Sequence, residues 1–217
     1  MSQQHPTVYL VDDDPSVLRA VKRLLASAGF DAKSYADPKS FLAEHDPAVP
    51  GCIVLDVSMP GLTGLDLQSL LAGSSHCQPM IFISGESDVP TSVAAMKAGA
   101  ADFLTKPFDD TVLLAAVSQA IARDGEKRLS EEAQTDFQFR LNALTVRERA
   151  VFFRVILGRL NKQIAGDLNV VEKTIKVHRA RMMKKMGVRS VAELVRMADR
   201  FGVVEPTDMA AKPLMGG

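Results

Sequence analysis

Val8-Tyr9-Leu10-Val11-Asp12-Asp13-Asp14-Pro15 sets four apolar residues against three carboxylates and ends on a proline. The apolar run reads as a buried strand. Asp14 then suits a helix N-cap, and Pro15 the first helical position, where its missing N–H is no loss. Strand, acidic turn and helix start fall within eight residues, and the alternation recurs through residues 1–125. Further strands are expected at 32–35, 53–57, Met80–Ser84 and Asp102–Thr105. One helix begins near Asp37-Pro38; others cover Gly64–Ala72 and 89–98, and a fifth starts at Asp109 or Asp110 and reaches Ala122. Gly29, Gly73 and Gly99 read as helix stops. The runs at 53–57 and 80–84 are near-continuously apolar, as in central strands of a parallel sheet covered on both faces. This pattern predicts a doubly wound α/β domain with a five-stranded parallel sheet.

In such a sheet ligands bind at the carboxyl ends of the strands, near the point where strand order reverses. The first strand ends in Asp12-Asp13-Asp14, the third at Asp56 and the fourth at Ser84, while Lys106 follows the fifth. Carboxylates crowded at one edge repel each other and need a cation; oxygen ligands with room for water suit Mg2+. Lys106 adds a positive charge able to hold a phosphoryl oxygen. The set fits phosphoryl transfer to an aspartate, in which the carboxylate attacks phosphorus in line while Mg2+ and Lys106 neutralise charge. The Ser84 hydroxyl can then donate to the product. Asp14 reads only as a helix cap.

Residues 123–139 are polar and charged, with few apolar positions in register. They suggest a helical linker over 123–140, between one domain over 1–122 and a second over 141–204; a flexible tail covers 205–217. From Leu141 onward helix signals are dense. Thr145-Val146-Arg147-Glu148 is a capping box, and Gly158 ends its helix. A short helix at 161–168, a turn at Asn169-Val170 and a long helix over Glu172–Met186 follow. A second capping box, Ser190-Val191-Ala192-Glu193, opens the last helix. Four helices with a basic one after a tight turn form a small all-α helix-turn-helix domain.

The net charge is zero, but it divides unevenly. Residues 1–125 carry 8 basic against 15 acidic side chains, and residues 126–217 carry 18 against 11. An acidic half joined to a basic half points to a polyanion as partner of the second. Seven basic residues and no acidic one lie between Lys173 and Arg189. Ile175, Met182 and Met186 can face the core of that helix. Lys173, Thr174, Lys176 and Val177 sit near its start, where a recognition helix meets base edges; Arg179, Arg181 and Lys184 are placed for phosphates. Cys52 and Cys77 fit no metal-ligand spacing and read as reduced, largely buried thiols. No apolar run approaches the ~20 residues needed to span a bilayer, and the first residues lack a signal-peptide pattern, so no membrane association and a cytoplasmic protein are expected.

Residues 1–125 resemble response-regulator receiver domains through Val11-Asp12-Asp13-Asp14, Leu55-Asp56-Val57-Ser58-Met59-Pro60-Gly61, Ile83-Ser84-Gly85 and Lys106-Pro107-Phe108. Residues 143–200 resemble LuxR-type helix-turn-helix domains through Leu144-Thr145-Val146-Arg147-Glu148-Arg149, Asn161-Lys162-Gln163-Ile164-Ala165 and Thr174-Ile175-Lys176-Val177-His178-Arg179. Together they resemble the FixJ/NarL family. The resemblance implies a flavodoxin-like receiver with Asp56 as phosphoacceptor. It implies Mg2+ on Asp13, Asp56 and the Ser58 backbone carbonyl, with Asp12 acting directly or through water and Lys106 on the phosphoryl group. Ser84 and Phe103 would be the switch pair. It further implies a sensor histidine kinase and double-stranded promoter DNA as partners, a homodimer when phosphorylated, and RNA polymerase as a further candidate.

Two departures stand out, at Val171 and Ala150. Val171 replaces the family's usual Ser or Thr helix cap, a loss of about 0.5–2 kcal/mol. Ala150 stands where a second acid is common, and Ser58 and Glu86 occupy positions that tune phosphoryl lifetime. Two other readings fit the residues less well. A Mg2+-dependent aspartate phosphatase generally carries a second Asp two residues after the nucleophile, where this chain has Ser58, so no enzyme is expected beyond slow autodephosphorylation. A phosphorylation-independent regulator usually lacks one acid or the Lys of the pocket, which here is intact.

Overall fold

The computed structural model describes residues 5–73, 76–85 and 89–203; the expected tail over 205–217 and Glu86 lie outside the described residues. The chain divides into two compact units, the second beginning at Ser130.

In the first unit the elements alternate: β1 (Thr7–Val11), α1 (Pro15–Ser27), β2 (Asp31–Tyr35), α2 (Pro38–Glu44), β3 (Gly51–Asp56), α3 (Gly64–Ala72), β4 (Met80–Ser84), α4 (Val89–Lys97), β5 (Asp102–Thr105) and α5 (Asp110–Asn142). The strands form one parallel sheet in the order β2-β1-β3-β4-β5. Alternate residues serve opposite faces, because strand side chains have a period of two. Val8, Leu10, Cys52, Val54, Ile81 and Ile83 pack with Val21 and Leu25 of α1 and Leu113 and Val117 of α5. Tyr9, Val11, Ile53, Leu55, Met80 and Phe82 pack with Phe41 of α2, Leu67 of α3 and Ala95 of α4. Two buried faces account for the unbroken apolar runs. Asp14 caps α1 as expected, accepting from the Ser16 N–H at 2.7 Å.

Several expectations shift. β3 begins two residues early, at Gly51, and stops at Asp56. Gly29 and Gly99 adopt the left-handed backbone of helix stops, with φ of +83° and +92°. Gly73 closes α3 in right-handed geometry instead. Cys52 is fully buried and burial pushes its thiol up to about 12, whereas Cys77 is only half-buried. The stretch read as a linker is continuous with α5, which runs 33 residues to Asn142.

The second unit holds the end of α5 with α6 (Val146–Ile156), α7 (Asn161–Asp167), α8 (Glu172–Met186) and α9 (Val191–Arg200). Its core gathers Val151, Phe152, Val155, Ile164, Ile175, Met182, Met186 and Leu194 around Phe137 and Leu141 of α5. Phe137 stacks on Phe201 with centroids 4.6 Å apart. Phe137 and Leu141, one turn apart near the end of α5, and Leu144 just beyond it bring apolar side chains to a stretch whose composition is otherwise polar. The first capping box closes at both ends: Glu148 takes the Thr145 N–H at 2.9 Å and Thr145 Oγ1 takes the Glu148 N–H at 3.3 Å. The second closes only in part. Ser190 Oγ accepts from the Glu193 N–H, but the Glu193 carboxylate reaches back to the Arg189 N–H at 2.7 Å.

Candidate functional site

The strand order places the reversal between β1 and β3, whose chains leave the sheet in opposite directions. Asp12 follows β1 there, and Asp56 ends β3. Both are almost fully buried, as is Ser84 at the end of β4. Lys106 comes off β5 and donates from Nζ to Asp12 Oδ2 and to Asp56 Oδ1, at 2.6 Å each. Three side chains from three strand ends thus meet across 94 positions of chain, with Ser84 buried at a fourth strand end. The backbone supports them: the Asp14 N–H donates to Asp12 Oδ1 at 2.8 Å, and the Ser58 N–H to Asp56 Oδ2 at 2.7 Å. The Lys106 N–H donates to the Ser84 carbonyl at 2.7 Å, tying β5 to β4.

Gly64, by its sequence only a helix start, also backs the site. A Cβ there would collide with the Asp56 carbonyl oxygen and crowd Phe82 and Leu55. A glycine opening a helix soon after a strand-end acid is the signal that could have marked it.

Two carboxylates share one ammonium, so the pocket keeps a net negative charge. Burial raises the Asp12 carboxyl above its ordinary value, against the lowering by the Lys106 hydrogen bond. For Lys106 burial pulls downward, but the hydrogen bonds it donates to Asp12 and Asp56 carry the ammonium above its ordinary value. Asp13 is exposed, and its carboxylate is not among the groups that Lys106 holds. Among the described residues no three His, Cys, Asp or Glu side chains are grouped as around a metal. The donor set nonetheless suits Mg2+, which is held by one or two carboxylates and keeps several waters. The Lys106 ammonium stands in as the cation on which the Asp12 and Asp56 oxygens converge. Phe103 is half-buried and lies over Phe82, centroids 6.3 Å apart.

The basic site lies in the second unit. Ile175, Met182 and Met186 of α8 are fully buried, as their spacing predicts. That orientation leaves Lys173, Lys176, Val177, Arg181 and Lys184 exposed, with Thr174 partly so. Lys176 pairs loosely with Glu172 one turn back, at 3.3 Å with both ends in solvent, so it remains available. Arg179 is held by Asn161 of α7, Nη1 to Oδ1 at 2.8 Å. This contact joins α7 to α8 and gives Asn161 a role beyond that of a helix start. Val171 gives α8 no side-chain cap, as expected from the missing hydroxyl. Lys185, counted in the basic run, serves the fold: its Nζ donates to the buried Glu148 carboxylate at 2.6 Å and to the Ala143 carbonyl at 3.0 Å.

Both units match known families. Residues 8–118 match the response regulator receiver domain, and residues 142–198 match the bacterial regulatory proteins of the luxR family. Nodulation protein W of Bradyrhizobium diazoefficiens is 41% identical over 196 residues, covering 90% of this chain and 86% of that protein. Transcriptional regulatory protein FixJ of Azorhizobium caulinodans is 41% identical over 201 residues, covering 93% and 95%. The solved structure of the response regulator StyR is similar with a TM-score of 0.84 at 43% identity, covering 90% of this chain and 99% of that one. The chain therefore belongs to the FixJ/NarL family of two-component response regulators, which join a receiver domain to a LuxR-type DNA-binding domain.

Proposed function

We propose that Asp56 accepts a phosphoryl group from a sensor histidine kinase and that this modification governs promoter binding by α8. The observation that carries the reading is the pair of 2.6 Å contacts from Lys106 to Asp12 and Asp56 at the sheet's reversal point. An Asp56 carboxylate oxygen attacks the phosphorus of a phosphohistidine. The P–N bond breaks, the P–O bond forms, and the electron pair stays on the imidazole nitrogen. Lys106 holds the added negative charge, and the Ser58 N–H orients the carboxylate. Asp12, Asp13, Asp56 and the Ser58 carbonyl would hold Mg2+, which when bound supplies charge neutralisation at the transferring oxygens.

Ser84 then donates to the phosphoryl group, and Phe103 moves inward with it from its half-buried position beside Phe82. The face near Val93, Met96 and Lys97 pairs two copies, consistent with Val93 and Met96 being nearly half exposed. Two DNA-binding domains on a two-fold axis would read an inverted repeat. At α8, Lys173, Thr174, Lys176 and Val177 address base edges, while Arg179, Arg181 and Lys184 address phosphates. RNA polymerase is a further candidate partner at the promoter. We place the protein in the cytoplasm with its DNA; among the described residues no helix is long and apolar enough to cross a membrane. Turnover is limited to slow hydrolysis of the aspartyl phosphate.

The test is a footprint on genomic DNA fragments under phosphorylating conditions, wild type against Asp56→Asn. A footprint that strengthens for wild type alone is expected. Identical footprints would remove the switch and leave the DNA-binding reading standing.

A further inference from the structure

At the amino-terminal edge of the receiver sheet, opposite the phosphoacceptor, lies a second buried ionic cluster. Asp124 of α5 is fully buried. Its carboxylate accepts from the Gly51 N–H at 3.0 Å, from Arg128 Nε at 2.7 Å and from His76 Nε2 at 2.9 Å. Arg128 spends its remaining arms on the loop before β3: Nη1 donates to the Ala48 carbonyl at 2.9 Å, and Nη2 to Pro47 at 2.7 Å and Val49 at 3.0 Å. Gly51 admits nothing larger, because a Cβ would fall on the Thr7 carbonyl. One aspartate and one arginine thereby join α5 to the start of β3.

Between the two members of the pair stands Gly125. A Cβ there would meet nothing within 4 Å, and the backbone is helical, so neither close approach nor a left-handed turn requires glycine. Glycine lowers helix stability here with no steric return. Beyond it, no residue of α5 is buried until Phe137, and Leu129 is largely exposed. A largely exposed helical stretch of that length draws little stability from burial and is marginal in water. The Asp124–Arg128 pair, spanning Gly125 at i and i+4, is the last buried anchor of α5 in the receiver unit.

We propose that Asp124, His76 and Arg128 form a lock that braces a hinge at Gly125, so that the amino-terminal edge of the receiver sheet controls how firmly α5 stays helical past the receiver. Asp124 and Arg128 are positioning residues. They act on the helix, with no part in phosphoryl chemistry, and the device stands whether or not Asp56 is the phosphoacceptor.

Hydrogen exchange on the full-length, unphosphorylated protein tests this over the amides of residues 126–136. Gly125→Ala should slow their exchange about fivefold, the equivalent of the ~1 kcal/mol by which Ala exceeds Gly in a helix. Arg128→Ala should speed it roughly tenfold or more, since hydrogen bonds to a buried carboxylate are lost. Adding Gly125→Ala to Arg128→Ala should recover about fivefold. Unchanged exchange in Arg128→Ala, or no recovery in the double variant, would overturn the lock. Should Arg128→Ala loosen the whole unit, seen as faster exchange in β4, Gly125→Ala alone decides: slower exchange supports the hinge, and unchanged exchange ends it.

Discussion

Lys106 and Lys185 make contacts of the same length, 2.6 Å from Nζ to a carboxylate oxygen that is almost fully buried. Their surroundings give them opposite roles. Lys106 serves two carboxylates, leaving a surplus negative charge, and burial holds the Asp12 carboxyl above its ordinary value. Glu148 has Lys185 and, through the capping box, the Thr145 N–H to itself. Burial pushes its carboxyl upward, but the Lys185 and Thr145 hydrogen bonds outweigh that and hold it below its ordinary value. An over-subscribed ammonium leaves carboxylate charge unmatched, whereas a saturated pair marks a structural joint. The distance alone does not tell them apart.

The comparison breaks first at Asp56. Asp56→Asn should abolish phosphoryl incorporation from a kinase or a small-molecule phosphodonor, read as loss of the phosphoryl mass shift in the intact protein, while leaving the DNA-binding unit folded. Retained incorporation would move the nucleophile elsewhere. Next in size is Lys185→Ala, which strands a buried Glu148. Breaking a buried pair typically costs about 3–5 kcal/mol; because Lys185 is 37% exposed and water reaches it, about 2–3 kcal/mol is expected here in denaturant unfolding. A change below about 0.5 kcal/mol, the scale of an ordinary surface substitution, would place it among those.

Asp12→Asn should do the reverse and stabilise the receiver by about 1 kcal/mol at neutral pH, at the expense of phosphorylation. The pH dependence carries the same signs. The folded receiver holds the Asp12 proton more tightly than the unfolded chain, so this group's contribution improves as pH falls from neutral toward its unfolded value of 3.8. Glu148 contributes fully above its unfolded value of 4.5 and is lost as pH falls through its lower folded value. Unfolding followed against pH in Asp12→Asn and Glu148→Gln should show opposite slopes relative to wild type. Parallel slopes would erase the distinction between the two sites. The smallest effect is at the DNA surface. Lys184→Ala should reduce the slope of log affinity against log salt by about 1, with little change in stability. Lys185→Ala should leave that slope nearly unaltered.

Much of this was legible because it depends on neighbours in the chain. The buried strands follow from apolar runs, the caps of α1 and α6 from Asp14-Pro15 and Thr145–Glu148, and the buried face of α8 from 3.6-residue periodicity. The acids and the lysine of the pocket were readable because a parallel sheet presents its strand ends at one edge. Phe137 escaped because its partners, Phe201 among them, lie some 60 residues away in a stretch whose composition is polar. Arg128 escaped for a similar reason: an arginine in a charged run looks like a solvated one until the loop carbonyls of 47–49 close around it.

The sequence by itself thus determined which residues stand at the strand ends and which face of α8 meets solvent, since both follow from local periodicity. Tertiary structure alone decided that one ammonium is divided between Asp12 and Asp56 while another is devoted to Glu148. It also decided that α5 continues through the expected linker under the hold of Asp124 and Arg128. Those outcomes depend on how many donors reach a buried carboxylate from distant segments, and water is excluded from that competition only once the chain has folded.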